Sequence, residues 1–122
     1  MVESKLDNLP DTTPDAVLVL AAILGDLRSF DVLALRYRAA AYRVARTIAG
    51  YELAEDIVQE ALLLAFKALP SIEEPDKFAS WLYAITRHVA YRLGQRTRQE
   101  RAQRVELDEA LLENSTVLAQ PF

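Results

Sequence analysis

Apolar residues recur along this chain at three- and four-residue steps, the spacing that gathers side chains on one face of an α-helix. Between Asp26 and Gly50 the series is Leu27, Phe30, Leu33, Tyr37, Ala41, Val44, Ala45 and Ile48. Arg36, Arg38, Arg43 and Arg46 fall between them and are expected on the outer side. From Glu52 to Leu69 the inward set is Leu53, Ile57, Ala61, Leu64 and Ala65. Here Leu62-Leu63-Leu64 carries apolar groups around the helix, as expected of a central element touched on several sides. A further stripe begins after Pro75 and runs through Phe78, Trp81, Leu82, Ile85, Val89 and Leu93. An apolar run from Ala16 to Leu24 precedes all three.

The breaks between these runs have the chemistry of helix ends. Thr13-Pro14-Asp15 predicts a start, with Thr13 as N-cap, Pro14 in the first turn and Asp15 at the positive end of the dipole. Gly25 stops that helix after Leu24, Asp26 caps the next and Gly50 ends it. Pro70 closes the third helix before a polar loop, Ser71 to Glu74. Gly94 weakens the fourth helix by about 1 kcal/mol relative to Ala. Gln95 to Arg104 has no apolar stripe and is expected to project into solvent or fray, and Val105, Leu107, Ala110 and Leu111 form one short amphipathic piece beyond it. The pattern predicts an all-α protein, a compact four-helix domain over residues 13–104 with a long basic C-terminal helix. Residues 1–12 read as a disordered leader, and 105–122 as an acidic tail or the start of an interdomain linker. The predicted core is Phe30, Leu33, Tyr37, Val44, Ile57, Ala61, Leu64, Phe78, Trp81, Leu82, Ile85 and Val89.

Composition narrows the function classes. A chain of 122 residues can bury a core without disulfides or metals. It has no cysteine and a single histidine, His88. Thiolate nucleophiles, Cys-ligated zinc and the usual acid–base constellations are therefore missing, and no enzyme activity, metal or cofactor is expected. The run from Ala16 to Leu24 is far short of the ~20 residues of a membrane span. It follows acids (Glu3, Asp7, Asp11, Asp15) rather than the basic flank of a signal peptide. No membrane partner and a cytoplasmic location are expected.

The formal net charge of −4 conceals strong segregation. Six arginines (87, 92, 96, 98, 101 and 104) lie between Arg87 and Arg104, against Glu100 as the single acid. Acids crowd the leader and the stretches 52–60, 73–76 and 106–113. A phosphate responds to the field within a Debye length of ~10 Å, not to the mean charge. On the third helix Asp56, Gln59 and Glu60 lie side by side. They form either an ordinary solvated face, with ion pairs worth ~0–1 kcal/mol each, or a dock for a basic partner. On the fourth, Tyr83, Arg87 and Tyr91 recur at four-residue steps opposite the core stripe. Flat rings alternating with cations are what single-stranded nucleic acid requires. Trp81 reads as core packing or a stacking platform, and His88 as a surface residue or a base reader.

In order and spacing these segments resemble region 2 of bacterial sigma factors, specifically the extracytoplasmic-function (ECF) group. Gly25-Asp26 with Phe30, Leu33 and Tyr37 is similar to the family's opening helices. The run from Gly50 to Ala61, followed by Ala65 to Pro70, is similar to its most recognisable stretch. Phe78 to His88 is similar to its promoter-reading helix, and Arg96 to Arg104 to its arginine-rich exit. The resemblance implies transcription initiation, with Asp56, Gln59, Glu60 and Leu63 docking on the coiled coil of the RNA polymerase β′ clamp. It implies a pocket for a flipped base in the loop Ser71–Lys77, and capture of the non-template single strand of the promoter −10 element. The DNA-facing positions it marks are Lys77, Ser80, Tyr83, Ala84, Arg87, His88, Tyr91, Arg92, Arg96 and Arg98. Core RNA polymerase and promoter DNA are the implied partners, with an anti-sigma factor as a further candidate.

The chain also departs from the family pattern. His88 stands where Asn is common, Arg92 where Asp is frequent, and Gly94 at a usually apolar position. Glu73 and Glu74 put two acids in the base-pocket loop. The helix-turn-helix module that reads the −35 element in full-length members is not expected within these residues. A rival reading follows, a protein-interaction bundle that keeps the polymerase-docking face and does not read DNA.

Overall fold

The apolar runs become four α-helices: α1 (Asp15–Ile23), α2 (Leu27–Ala49), α3 (Tyr51–Ala68) and α4 (Phe78–Ala119). Short 3₁₀ turns at Leu69–Ser71 and Pro75–Lys77 join α3 to α4 where a plain polar loop was expected. The computed structural model describes residues 12–119, and their side chains as far as residue 113. The expected leader, Thr12 apart, lies outside the described residues.

Two glycines set the corners. Gly25 and Gly50 have φ of +109° and +92°, which L side chains rarely adopt. The expected cap of α2 is present, since the Asp26 carboxylate accepts from the Arg28 backbone N–H at 3.1 Å. The start of α1 differs from expectation. Pro14, not Thr13, is its N-cap, and it makes no side-chain cap hydrogen bond. Thr13 is buried instead, and its carbonyl accepts from Arg36 Nη1 at 2.8 Å.

Arg36 is therefore not on the outer side of α2. Its guanidinium also pairs with Asp15 at 2.7 Å, and the Tyr37 hydroxyl donates to the same carboxylate. The acceptors at the start of α1 draw both side chains inward. Burial, and then the hydrogen bond to Asp15, push the Tyr37 hydroxyl up to about 12 from its ordinary 10.0.

α2, α3 and α4 pack on one another, and α1 closes one end against α2. At that end the buried core is built on Leu18, Val19, Leu33, Phe78 and Leu82. Further along it continues through Ile57 and Val89 with Ala41, Ala45, Ala61 and Ala90, whose small side chains let the helices approach closely. Seven of the predicted core residues are buried: Phe30, Leu33, Ile57, Ala61, Phe78, Leu82 and Val89. Tyr37, Val44, Trp81 and Ile85 are half-buried. Two inward assignments fail. Leu64 is 38% exposed, because α3 turns Ala61 and Ala65 to the core and leaves Leu64 on the rim. Leu27 is 60% exposed, as the first residue of α2.

α4 neither breaks at Gly94 nor frays at residues 95–104. A Cβ on Gly94 would lie 3.3 Å from the Ala49 Cβ, so the missing side chain is what lets α4 pass the end of α2. Beyond it, Arg101 bonds Glu52 of α3 at 3.0 Å and Arg96 bonds Glu100 at 3.3 Å. The amphipathic piece expected near Val105 is continuous with this helix, whose 42 residues span about 63 Å. Residues 98–113 are exposed throughout, arginine-rich to Arg104 and acidic from Glu106. Among the described residues no helix is long and apolar enough to cross a membrane.

Candidate functional site

Asp56, Gln59 and Leu63 lie at three- and four-residue steps on the open side of α3, with Leu63 59% exposed. Phe66 continues the row at 41% exposure. Gln59, Leu63 and Phe66 line an open groove of about 470 Å³ with Val58, Leu62, Phe30 and Arg38. The Phe30 and Phe66 rings meet edge-on at 5.1 Å and form its floor. Phe66 and Arg38 carried no partner-binding expectation. Phe66 was legible as the next apolar step after Leu63, but Arg38 arrives from another helix.

Most acids of α3 are already engaged within the molecule. Glu52 pairs with Arg101 at 3.0 Å, Glu55 with Arg38 at 3.5 Å and Glu60 with Arg92 at 2.7 Å. Asp56 has no ion pair among the described residues. The acidic patch is thus present as a surface, but its Glu60 is held by α4.

On the other flank of α2, Tyr83, Arg87 and Tyr91 of α4 face Ala40, Arg43, Val44, Thr47 and Ile48 across a groove of about 540 Å³. Tyr91 is 60% exposed. Tyr83 is half-buried and meets the Tyr37 ring edge-on at 6.3 Å. Arg87 and Arg43 form no ion pair among the described residues, so two guanidinium groups share the groove with two phenol rings. Arg43 had been placed merely on the outer side of its helix. Only the packing of α2 against α4 gives it this position, and no spacing within α2 signals it.

The segment expected to hold a flipped base does form a recess. Ser71, Ile72, Glu73, Glu74, Lys77, Ser80 and Trp81 line a space of about 470 Å³. Ser71 Oγ donates to the Ala68 carbonyl at 2.6 Å, and Lys77 pairs with Glu74 at 3.2 Å. Trp81 packs on Phe78 with ring centroids 5.9 Å apart while also lining the recess, so its two readings are compatible.

The remaining positions do not join one surface. His88 and Ala84 are exposed on the outward side of α4. Arg92 is turned to Glu60, and Arg96 to Glu100. Arg98 lines a separate recess at the α2–α3 corner with Tyr51, Thr97 and Arg101. No grouping of His, Cys, Asp or Glu among the described residues has the makings of a metal site.

Known proteins share this pattern. The sigma-70 region 2 family matches residues 33–101, more than half of the chain and all of the positions just described except Phe30. The ECF RNA polymerase sigma-E factor of Escherichia coli K12 is 35% identical over 79 residues, covering 62% of this chain and 40% of that protein. Its counterpart in Salmonella typhimurium LT2 is 34% identical over the same length and coverage. The RNA polymerase sigma-H factor of Pseudomonas aeruginosa is 34% identical over 77 residues, again 62% of this chain and 40% of that one. The matched part is therefore well under half of the curated relatives' length. No solved structure matches the chain. Four helices in the expected order, the α3 run and the family match agree: this chain belongs to the sigma-70 region 2 family, in its ECF group.

Proposed function

We propose that the chain serves transcription initiation as a non-catalytic cytoplasmic module. It docks on the β′ clamp coiled coil of core RNA polymerase through Asp56, Gln59 and Leu63 of α3, and it holds the single-stranded −10 non-template strand along α4. The observation that carries this reading is the groove where Tyr83, Arg87 and Tyr91 meet Arg43. Stacking on an aromatic ring is worth about 1–3 kcal/mol per base, and unpaired arginines beside the rings take the phosphates. The Ser71–Lys77 recess has room for a base leaving the stack, and Trp81 gives it an apolar wall.

Fluorescence anisotropy with a −10-like single-stranded oligonucleotide tests the DNA half. Arg87→Ala and Arg43→Ala should each weaken binding and lower the slope of log affinity against log salt by about 1. A β′ coiled-coil fragment tests the other half. Asp56→Arg should abolish its capture, and undiminished capture would remove the patch from the interface.

The rival, an interaction bundle that does not read DNA, draws on one observation. Lys77, Arg92 and Arg96 are all engaged by carboxylates. It expects equal affinity for −10-like and scrambled oligonucleotides, alongside normal capture of the coiled coil.

A further inference from the structure

The ion pair between Glu60 and Arg92 joins the two faces of the molecule. Glu60 belongs to the acidic run of α3 and Arg92 to α4, and their atoms lie 2.7 Å apart. Both remain reachable from solvent, with 36% of the Glu60 side chain and 52% of the Arg92 side chain exposed. Arg92 follows Tyr91 of the aromatic groove directly, and it sits one turn beyond the exposed His88, beside it on the helix. The other two cross-helix pairs made by acids of α3 are placed differently. Arg38 lies on α2, and Arg101 lies well past the groove.

We propose that Arg92 is a phosphate-binding residue kept in reserve by Glu60 and released to DNA when a cationic docking partner takes that carboxylate. The proposal rests on the two-faced reading above. Glu60 cannot pair fully with both an incoming Lys or Arg and the Arg92 guanidinium. A partner cation at Glu60 therefore leaves Arg92 to turn toward the His88 side of α4, where a strand leaving the groove carries phosphates. Coupling of this kind is reciprocal, so bound DNA also strengthens docking by the same factor. An exposed pair exchanges partners at little cost, which limits the factor to about two- to fivefold.

The experiment uses the 122-residue chain and a −10-like single-stranded oligonucleotide, with a scrambled one alongside. Glu60→Gln should tighten oligonucleotide binding two- to fivefold and steepen its salt dependence. Adding Arg92→Gln should erase that gain. Glu55→Gln removes the same charge from the same helix, and its effect should be independent of Arg92. With the unmutated chain a β′ coiled-coil fragment should raise oligonucleotide affinity by a similar factor, and with Arg92→Gln it should not. A Glu60→Gln gain that survives Arg92→Gln, or equal coupling of Arg92 to Glu55, would reduce the effect to general charge and overturn the proposal. If binding still depends on Arg87 but shows no Glu60–Arg92 coupling, the proposal alone falls. If no variant distinguishes the two oligonucleotides and Arg87→Ala changes nothing, the two-faced reading fails and takes the proposal with it.

Discussion

Tyr37 shows how much one side chain of this small bundle has to do. Its ring meets Phe78 at 5.9 Å and Tyr83 at 6.3 Å, while its hydroxyl donates to Asp15. It therefore ties the start of α1 to the core and supports Tyr83, the inner ring of the groove between α2 and α4. With its folded value at about 12, above 10.0, the folded state keeps the proton that the unfolded state gives up first. The stability this provides is complete below pH 10 and is lost as pH rises through 12. Thermal melts should lose stability across that window, with tyrosinate absorbance rising late for this residue. Tyr37→Phe should flatten that part of the profile and cost about 1.5–3 kcal/mol at neutral pH, the range for a hydrogen bond to a charged group.

Among the elements, α4 departs most from what its residues suggest in isolation. Gly94 is a poor helix former and the stretch after it has no apolar stripe to bury, yet the helix continues, with Ala49 and Gly94 letting the backbones approach. Gly94→Val should force α2 and α4 apart and cost about 1–3 kcal/mol by chemical denaturation. Gly94→Ala should stay near neutral, its gain in helix propensity offset by the 3.3 Å contact. The same contrast explains which parts were legible in advance. Periodicity reads one helix at a time, so the buried faces of α2, α3 and α4 and the Tyr83–Arg87–Tyr91 row could be written down from spacing. Arg43 in the groove, Arg36 at the start of α1 and the Glu60–Arg92 pair each depend on which helices become neighbours. Arg36 reaching the Thr13 carbonyl, twenty-three residues back, was hidden from periodicity for the same reason.

For the molecule as a whole, α2 works as the shared wall. One flank forms the apolar groove with α3 and the other forms the aromatic and arginine groove with α4. If the proposed function holds, the two proposed ligands would be held at once without competing for a surface. The reversal of charge along α4 has its own consequence, because every residue from 98 to 113 is open to solvent. A strand tracking that helix gains a guanidinium for its phosphates only as far as Arg104. From Glu106 onward, Asp108, Glu109 and Glu113 repel it. On the proposed reading, the helix thus sets the length of its own footprint. Neutralising those four acids to Gln or Asn should lengthen the stretch of DNA protected from nuclease, with little change at the end held by the tyrosines.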